Sequence, residues 1–426
     1  MSLPRIAVDA MGGDEGVRVM VEGAALARRR HDKFKFLLVG DEARIKAALE
    51  SHPGMAGASE ILHSDDVVGG DELPSRALRR AKTTSMGLAV NAVKQGDAGA
   101  AVSAGNTGAL MAMSKLALRT MPGLDRPALA ALLPTLTDND VVMLDLGANR
   151  ECDARNLVQF AIMGAAYARV VTGRERPRTR LLNIGTEETK GTEDIQAAAE
   201  ALRAATGLAM DFEGYVEADK INRGECDVVV CDGFSGNIAL KAIEGAARFV
   251  TDLLRQAFTS SVRSKIGFLV SRPATELLRH HLDPNNHNGA VFLGLNGVVV
   301  KSHGSANAKG VANAVEVAAR LLEDDITNRI KRDLGEIEAA VTGASASSGS
   351  AGAGAAEGST VSAGAVSIGA VVGVVLAAMS SDKGASPAGA ALMTSPSSAT
   401  RRASDGIGAG ESGRCMTRSS GEGVGV

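Results

Sequence analysis

This sequence has no excess of positive charge and little cysteine. Its 46 Lys and Arg are outnumbered by 49 Asp and Glu, which gives a formal net charge of −3 at pH 7. Neutralising a nucleic-acid backbone needs a concentrated basic surface, so this balance argues against nucleic acid as the main partner. The four cysteines, Cys152, Cys226, Cys231 and Cys415, show no CxxC spacing and no ligand-like pairing with the seven histidines. Neither a metal site nor a disulfide framework is expected, no cofactor is called for, and a reducing cytosol fits. The beginning of the chain, MSLPRIAVDAMGGD, lacks a charged n-region followed by a long apolar run, so export is not expected.

What is present is the pattern of a globular α/β protein. With 45% hydrophobic and 22% charged residues, 426 residues are enough for a large core in a soluble protein. Residues 1–340 alternate short β-branched runs with helical stretches, which predicts a mostly parallel sheet covered by helices. Strands are expected over 5–9, 34–39, 98–103, 140–146, 179–184, 227–232 and 290–300, and helices over 154–172, 192–206, 237–259 and 305–333. From Val341 the composition shifts to Ala, Gly and Ser, so residues 341–426 read as a low-complexity tail without enough apolar surface to offset ordering. Within it, residues 361–379 are uncharged and long enough to span a bilayer but only weakly hydrophobic. The string Gly408–Gly413 (GAGESG) fits a dinucleotide-binding pattern, yet no strand precedes it, and it is set aside.

Six predicted strand ends share one chemistry: a small or acidic residue, then glycine, then Asn, Ser or Thr opening a helix. They are DAMGGD (Asp9–Asp14), SAGNTGA (Ser103–Ala109), LDLGAN (Leu144–Asn149), NIGTEETKG (Asn183–Gly191), CDGFSGN (Cys231–Asn237) and KSHGSAN (Lys301–Asn307). Ligands bind at the carboxyl ends of strands in open parallel sheets, and glycine lets backbone N–H groups approach an anion at a helix N-terminus. The six are therefore expected to converge on one crevice along one edge of the sheet. Its phosphate or substrate contacts would come from Asp9, Gly12, Gly13, Asp14, Ser103, Gly105, Asn106, Thr107, Gly108, Asn149, Gly185, Thr186, Glu187, Gly233, Ser235, Gly236 and His303. Cations are few there, namely Lys190, Lys241, Lys301 and His303, which suits a phosphate or acyl phosphate better than a long polyanion. The chain holds no GxxxxGK[ST], no GxGxxG after a strand and no GxSxG, so P-loop, Rossmann and serine-nucleophile chemistries are disfavoured. Cys231 reads as a small buried side chain. Direct attack by a bound phosphate remains.

These segments, in this order over residues 4–335, resemble the PlsX family of fatty acid and phospholipid synthesis proteins, phosphate acyltransferases that make acyl phosphate from acyl-carrier protein. The resemblance implies a three-layer α/β/α fold similar to phosphate acetyltransferase and the isocitrate dehydrogenase group, and a homodimer. It also implies catalytic roles for the lysine of GTEETKG and the asparagine of DGFSGN, here Lys190 and Asn237. Lys190 would neutralise phosphate and Asn237 would donate to the thioester oxygen as it becomes an oxyanion. Asn237 can equally cap the helix that follows Gly236.

Between Phe249 and Leu282 apolar and basic residues alternate in an amphipathic excursion suited either to a membrane surface or to a dimer interface. Ile266, Phe268, Leu269 and Val270 are the expected membrane contacts, because the family is peripheral on the inner face of the cell membrane. Arg76, Arg79, Arg80 and Lys82 are the expected docking surface for acidic acyl-carrier protein. The product would pass to a membrane enzyme that acylates glycerol 3-phosphate. Two other readings fit the same residues: a phosphate acetyl- or butyryltransferase using coenzyme A thioesters, and a non-catalytic membrane-associated regulator of lipid synthesis.

Overall fold

The structure, a computed structural model, describes residues 3–335 apart from Thr206. The expected low-complexity tail after Val341, with its uncharged run at 361–379, lies outside the described residues. In chain order the elements begin with β1 (Arg5–Asp9), α1 (Val17–Arg30), β2 (Lys35–Gly40), α2 (Glu42–Leu49), β3 (Ser59–His63), α3 (Pro74–Arg79), α4 (Ser85–Gln95), β4 (Ala100–Ser103) and α5 (Thr107–Leu118). They continue with β5 (Ala128–Leu133), β6 (Val141–Leu144), α6 (Ala154–Thr172), β7 (Arg178–Leu182), α7 (Glu193–Ala204), β8 (Asp211–Val216) and β9 (Val228–Val230). After these come α8 (Gly233–Thr259), α9 (Val262–Val270), α10 (Arg272–Leu282), β10 (Ala290–Leu293), β11 (Val298–Lys301) and α11 (Ala308–Glu323).

All the strands join one sheet of order β3-β2-β1-β4-β11-β10-β5-β6-β9-β7-β8. Strands in its middle are apolar along their whole length because both faces are covered. Side chains alternate between the faces with period two. Ile6, Val8, Phe36, Leu38, Val142 and Leu144 join α1, α6, α7 and α11 in one core. Ala7, Leu37, Val39, Val141, Met143 and Val229 join α4, α5 and the first turns of α8 in the other. The result is the expected three-layer α/β/α arrangement.

Two sequence expectations change here. Residues 290–300 were one strand on composition alone, but they form the antiparallel pair β10 and β11. The helix expected over 305–333 ends at Glu323, and a second helix follows over 326–335 after a turn in which Asp325 has φ 48°.

Strand direction decides where the glycine loops go. Most neighbours are parallel, but β10 runs antiparallel to both β11 and β5, and β5 runs antiparallel to β6. Consequently β1, β4 and β11, which are mutually parallel neighbours, end on one side of the sheet. The parallel neighbours β6, β9 and β7 end on the other. The six loops therefore form two groups of three rather than one row.

Candidate active site

The first group is built around Asp9, 1% exposed at the end of β1. Its Oδ1 accepts from Ser85 Oγ at 2.7 Å and Met11 N at 3.3 Å, and its Oδ2 accepts from Ser103 Oγ at 2.7 Å. Burial pushes this carboxyl above the usual carboxylate range, while the two hydroxyl bonds pull the other way. Ser103 Oγ in turn accepts from Gly105 N at 3.1 Å, which fixes the start of the GNTG turn. Only glycine fits at position 12, because a Cβ would stand 2.8 Å from Gly105 N and 2.9 Å from Asp9 Oδ2. Gly13 sits at φ 89°, and Asp14 N donates to Gly304 O at 2.8 Å, tying this loop to that of β11.

Asn106 is fully engaged as an anchor. Its Oδ1 caps α5 through Ala109 N at 2.9 Å, and its Nδ2 donates to Gly70 O at 2.7 Å and Glu72 O at 3.1 Å. Thr107 opens α5, and a Cβ on Gly108 would meet Pro74 at 2.8 Å. In this group Ser103 and Asn106 hold the loops.

Lys301, at the end of β11, is only 9% exposed. Its Nζ donates to Ala104 O at 3.3 Å and to Ser302 O. Burial lowers its ammonium to about 8, with Asp14 and Asp9 opposing that shift and Lys241 reinforcing it. His303 N donates to Asn288 Oδ1 at 2.8 Å, and the His303 ring meets Ser305 Oγ at 2.9 Å. Burial also lowers the His303 imidazolium.

The second group is built around Asp145, which is fully buried. Its carboxylate accepts from Leu129 N at 2.9 Å, Ala148 N at 3.0 Å and Asn149 N at 2.7 Å. Burial raises this carboxyl as well. The Asn149 side chain is spent on Asp145 Oδ2 at 2.9 Å and Pro127 O at 2.8 Å. Gly233 N donates to Asn149 O at 2.8 Å, so the LDLGAN turn grips the start of α8. Gly236 makes that grip possible, since a Cβ there would lie 2.0 Å from Asp145 O and 2.5 Å from Cys231 Sγ.

The cap of α8 is Asp232, which accepts from Phe234 N at 3.0 Å and Ser235 N at 2.9 Å. Asn237 therefore does not cap the helix as the sequence allowed, because the helix starts four residues earlier. Its side chain is exposed and lies 3.6 Å from the position of a Cβ on Gly147. Cys231 is buried, donates to Asp145 O at 3.3 Å and has its thiol pushed up; burial also carries the Cys152 thiol to about 12. Neither thiol is poised as a thiolate nucleophile.

Lys190 belongs to the loop after β7, next to β9, so it and Asn237 leave neighbouring parallel strands on the same side of the sheet. Asn183 organises that loop, donating to Lys190 O at 3.1 Å and accepting from Ile184 N at 2.9 Å. The Lys190 stem lies 3.0 Å from the place of a Cβ on buried Gly185, with Thr186 and Glu187 exposed beside it. The sheet order puts Lys190 beyond Asn237 from β1, β4 and β11. It therefore leaves the sheet with the Asp145 group and not with the Asp9 and GNTG loops.

Helix α8 connects the groups. Asn237 and Lys241 are one turn apart on one face. Lys241 bonds Glu244 at 2.9 Å, and its charge acts on both Lys301 and His303, as those of Glu244 and Arg248 act on His303.

Among the proposed docking cations Arg80 is taken by internal partners, with Asp66 at 3.0 Å and Glu72 at 3.1 Å. Arg76, Arg79 and Lys82 are exposed. The amphipathic excursion is the end of α8 with α9 and α10, and α9 buries none of its residues. Ile266, Phe268, Leu269 and Val270 are all exposed, and Phe268 also meets Phe258 with ring centroids 5.2 Å apart. Among the described residues no helix is long and apolar enough to cross a membrane, and no group of three or more His, Cys, Asp or Glu is arranged to hold a metal.

Asp145, Ser85 and Asp232 were missed as organisers of the site. Asp145 and Asp232 were visible as acids ending β-branched runs, like Asp9. Ser85 is separated from Asp9 by 76 positions and gives no local signal.

A model of the family described as fatty acid synthesis protein matches residues 4–329. The chain is 78% identical over 350 residues to a phosphate acyltransferase of Erythrobacter litoralis, covering 82% of this chain and 99% of that one. It is 53% identical over 335 residues to a phosphate acyltransferase of Bradyrhizobium diazoefficiens, covering 78% and 95% respectively. Among solved structures, a phosphotransacetylase from Streptococcus pyogenes aligns over 75% of this chain and 94% of its own with a TM-score of 0.49 and 19% identity.

Proposed function

Because the chain belongs to the fatty acid synthesis protein family, we propose that this phosphate acyltransferase transfers an acyl group from acyl-[acyl-carrier protein] to inorganic phosphate. The product would be the acyl phosphate used for glycerol 3-phosphate acylation. A phosphate oxygen attacks the thioester carbonyl carbon, the C–S bond breaks, and the proton of hydrogen phosphate ends on the released thiol. No enzyme nucleophile is required, because phosphate is largely dianionic at neutral pH and a thiolate leaves readily.

The observation that carries this reading is the position of Asn237. It stands on α8 beside Gly147, and the charge of Lys241, one turn on along the same face, acts on Lys301 and His303 at the end of β11. Phosphate would be held where the Asp9–Asp14 and Gly105–Gly108 loops meet. The thioester oxygen would lie at the Asn237 amide, which donates more strongly as that oxygen gains charge. Lys190, on the other side of Asn237, would then stabilise the departing thiolate and orient the donor rather than neutralise the phosphate.

The test is thiol release from palmitoyl-[acyl-carrier protein] with phosphate, using wild type, Asn237→Ala and Lys190→Ala. Losing one oxyanion donor lowers kcat by about 100- to 1000-fold, and that is expected of Asn237→Ala. Lys190→Ala should lose at least about tenfold. Near-normal rates in both variants would remove these assignments. Faster turnover of acetyl-coenzyme A than of the carrier thioester would replace the proposed donor.

A further inference from the structure

We propose that Lys301 is the buried cation that binds the inorganic phosphate, within the loop cluster at the ends of β1, β4 and β11. This rests on the function proposed above and deepens it by naming the group that receives the nucleophile.

Lysine is almost never this deeply buried unless paired. Yet among the described residues Lys301 has no carboxylate within ion-pair distance, and its Nζ meets two carbonyl oxygens, those of Ala104 and Ser302. An ammonium has three donors, so one is left over. Of the two carboxylates whose charges act on it, Asp14 is exposed and outside ion-pair distance, and Asp9 is held by Ser85, Ser103 and Met11 N.

Beside it glycine lets the β1, β4 and β11 loops pack closely, Gly12 against Gly105 and Gly13 against Ala104 and Gly304. That packing spends the N–H groups of Gly12, Asp14 and Gly105 within the loops, so the third donor of Lys301 is what the cluster keeps for a compact oxyanion. The charged groups acting on Lys301 are Asp9 on β1, Asp14 in the following loop and Lys241 from α8, with His303 two residues along its own loop. A phosphate dianion would lie between two cations, Lys301 and Lys241, and would relieve their mutual repulsion. Lys241, whose charge acts on Lys301, stands one turn of α8 from Asn237.

The experiment measures thiol release by the full chain and by Lys301→Met, with phosphate and acyl donor varied separately. Inorganic phosphate is also titrated calorimetrically in the absence of donor. Removing a charge-assisted contact is expected to raise the KM for phosphate and the calorimetric Kd at least about tenfold, with the KM for donor held within about twofold. Lys301→Arg keeps the charge and should bind phosphate more tightly than Lys301→Met. In wild type the phosphate KM, counted as dianion, should rise as pH passes about 8 and that rise should vanish in Lys301→Arg, which tests the inference even if Lys301→Met does not fold. An unchanged phosphate KM in Lys301→Met, or a rise confined to the donor KM, would overturn the inference. Lys301-dependent phosphate binding without any thiol release would instead overturn the proposed function and leave this site standing.

Discussion

Below pH 8 Lys301 carries its charge where water reaches it poorly, and that charge opposes folding. Its ammonium titrates near 8 in the fold against an ordinary value of 10.5. Between those values the unfolded chain binds more protons, so stability rises with pH across that window. The gap of roughly 2.5 units corresponds to about 3 kcal/mol of destabilisation fully present below pH 8. Lys301→Met should therefore melt no lower than wild type at pH 7, and its advantage should shrink as pH approaches 10.5. Thermal unfolding at both pH values measures this, and a variant less stable at pH 7 would mean that the lysine is kept for the fold. Asp9, Gly12, Gly105, Gly233 and Gly236 were legible from sequence because each sits in a strand-to-helix turn with a local reason. The partners that make Asp9 work were not, since Ser85 comes from a distant helix and Ser103 spends its hydroxyl on Asp9 instead of a ligand.

Among the elements, α6 was legible to the residue because its apolar face recurs with helical period and Gly173 closes it in the left-handed region at φ 72°. The strand β5 was not: ALAALL is composed of good helix formers, and only its place between β10 and β6 makes it extended. Strands β3 and β8 close the two ends of the sheet and carry too little apolar pattern to stand out. The helical excursion was readable because its apolar residues have no core to enter. Exposed Ile266, Leu269 and Val270 on α9, beside Arg263 and Lys265, form a face suited to anionic lipid, and we propose that this face is the membrane contact. Leu269→Asp with Val270→Asp should abolish flotation with anionic liposomes while leaving thiol release from a soluble donor intact. Undiminished flotation, or loss of the native dimer or monomer state with flotation retained, would assign the face to protein contacts.

At the scale of the whole molecule, the three-layer architecture followed from composition and alternation, but the sheet's reversal did not. Each loop motif announces the end of a strand, and no local pattern announces which way that strand runs relative to another. The antiparallel pairs at β10 and β5 turn half of the sheet over, so that one expected row of anion-binding turns becomes two groups joined by α8. Lys190 leaves the sheet with one group, and buried Lys301 with the other.

Direct attack of free phosphate on the thioester is decided by incubating the protein with palmitoyl-[acyl-carrier protein] and phosphate labelled in every oxygen with oxygen-18, then weighing both product and protein. Palmitoyl phosphate should retain the full label, and the protein should keep its mass throughout turnover. Palmitate attached to Cys152, Cys231 or any other side chain during turnover, or thiol release at the same rate without phosphate, would contradict it.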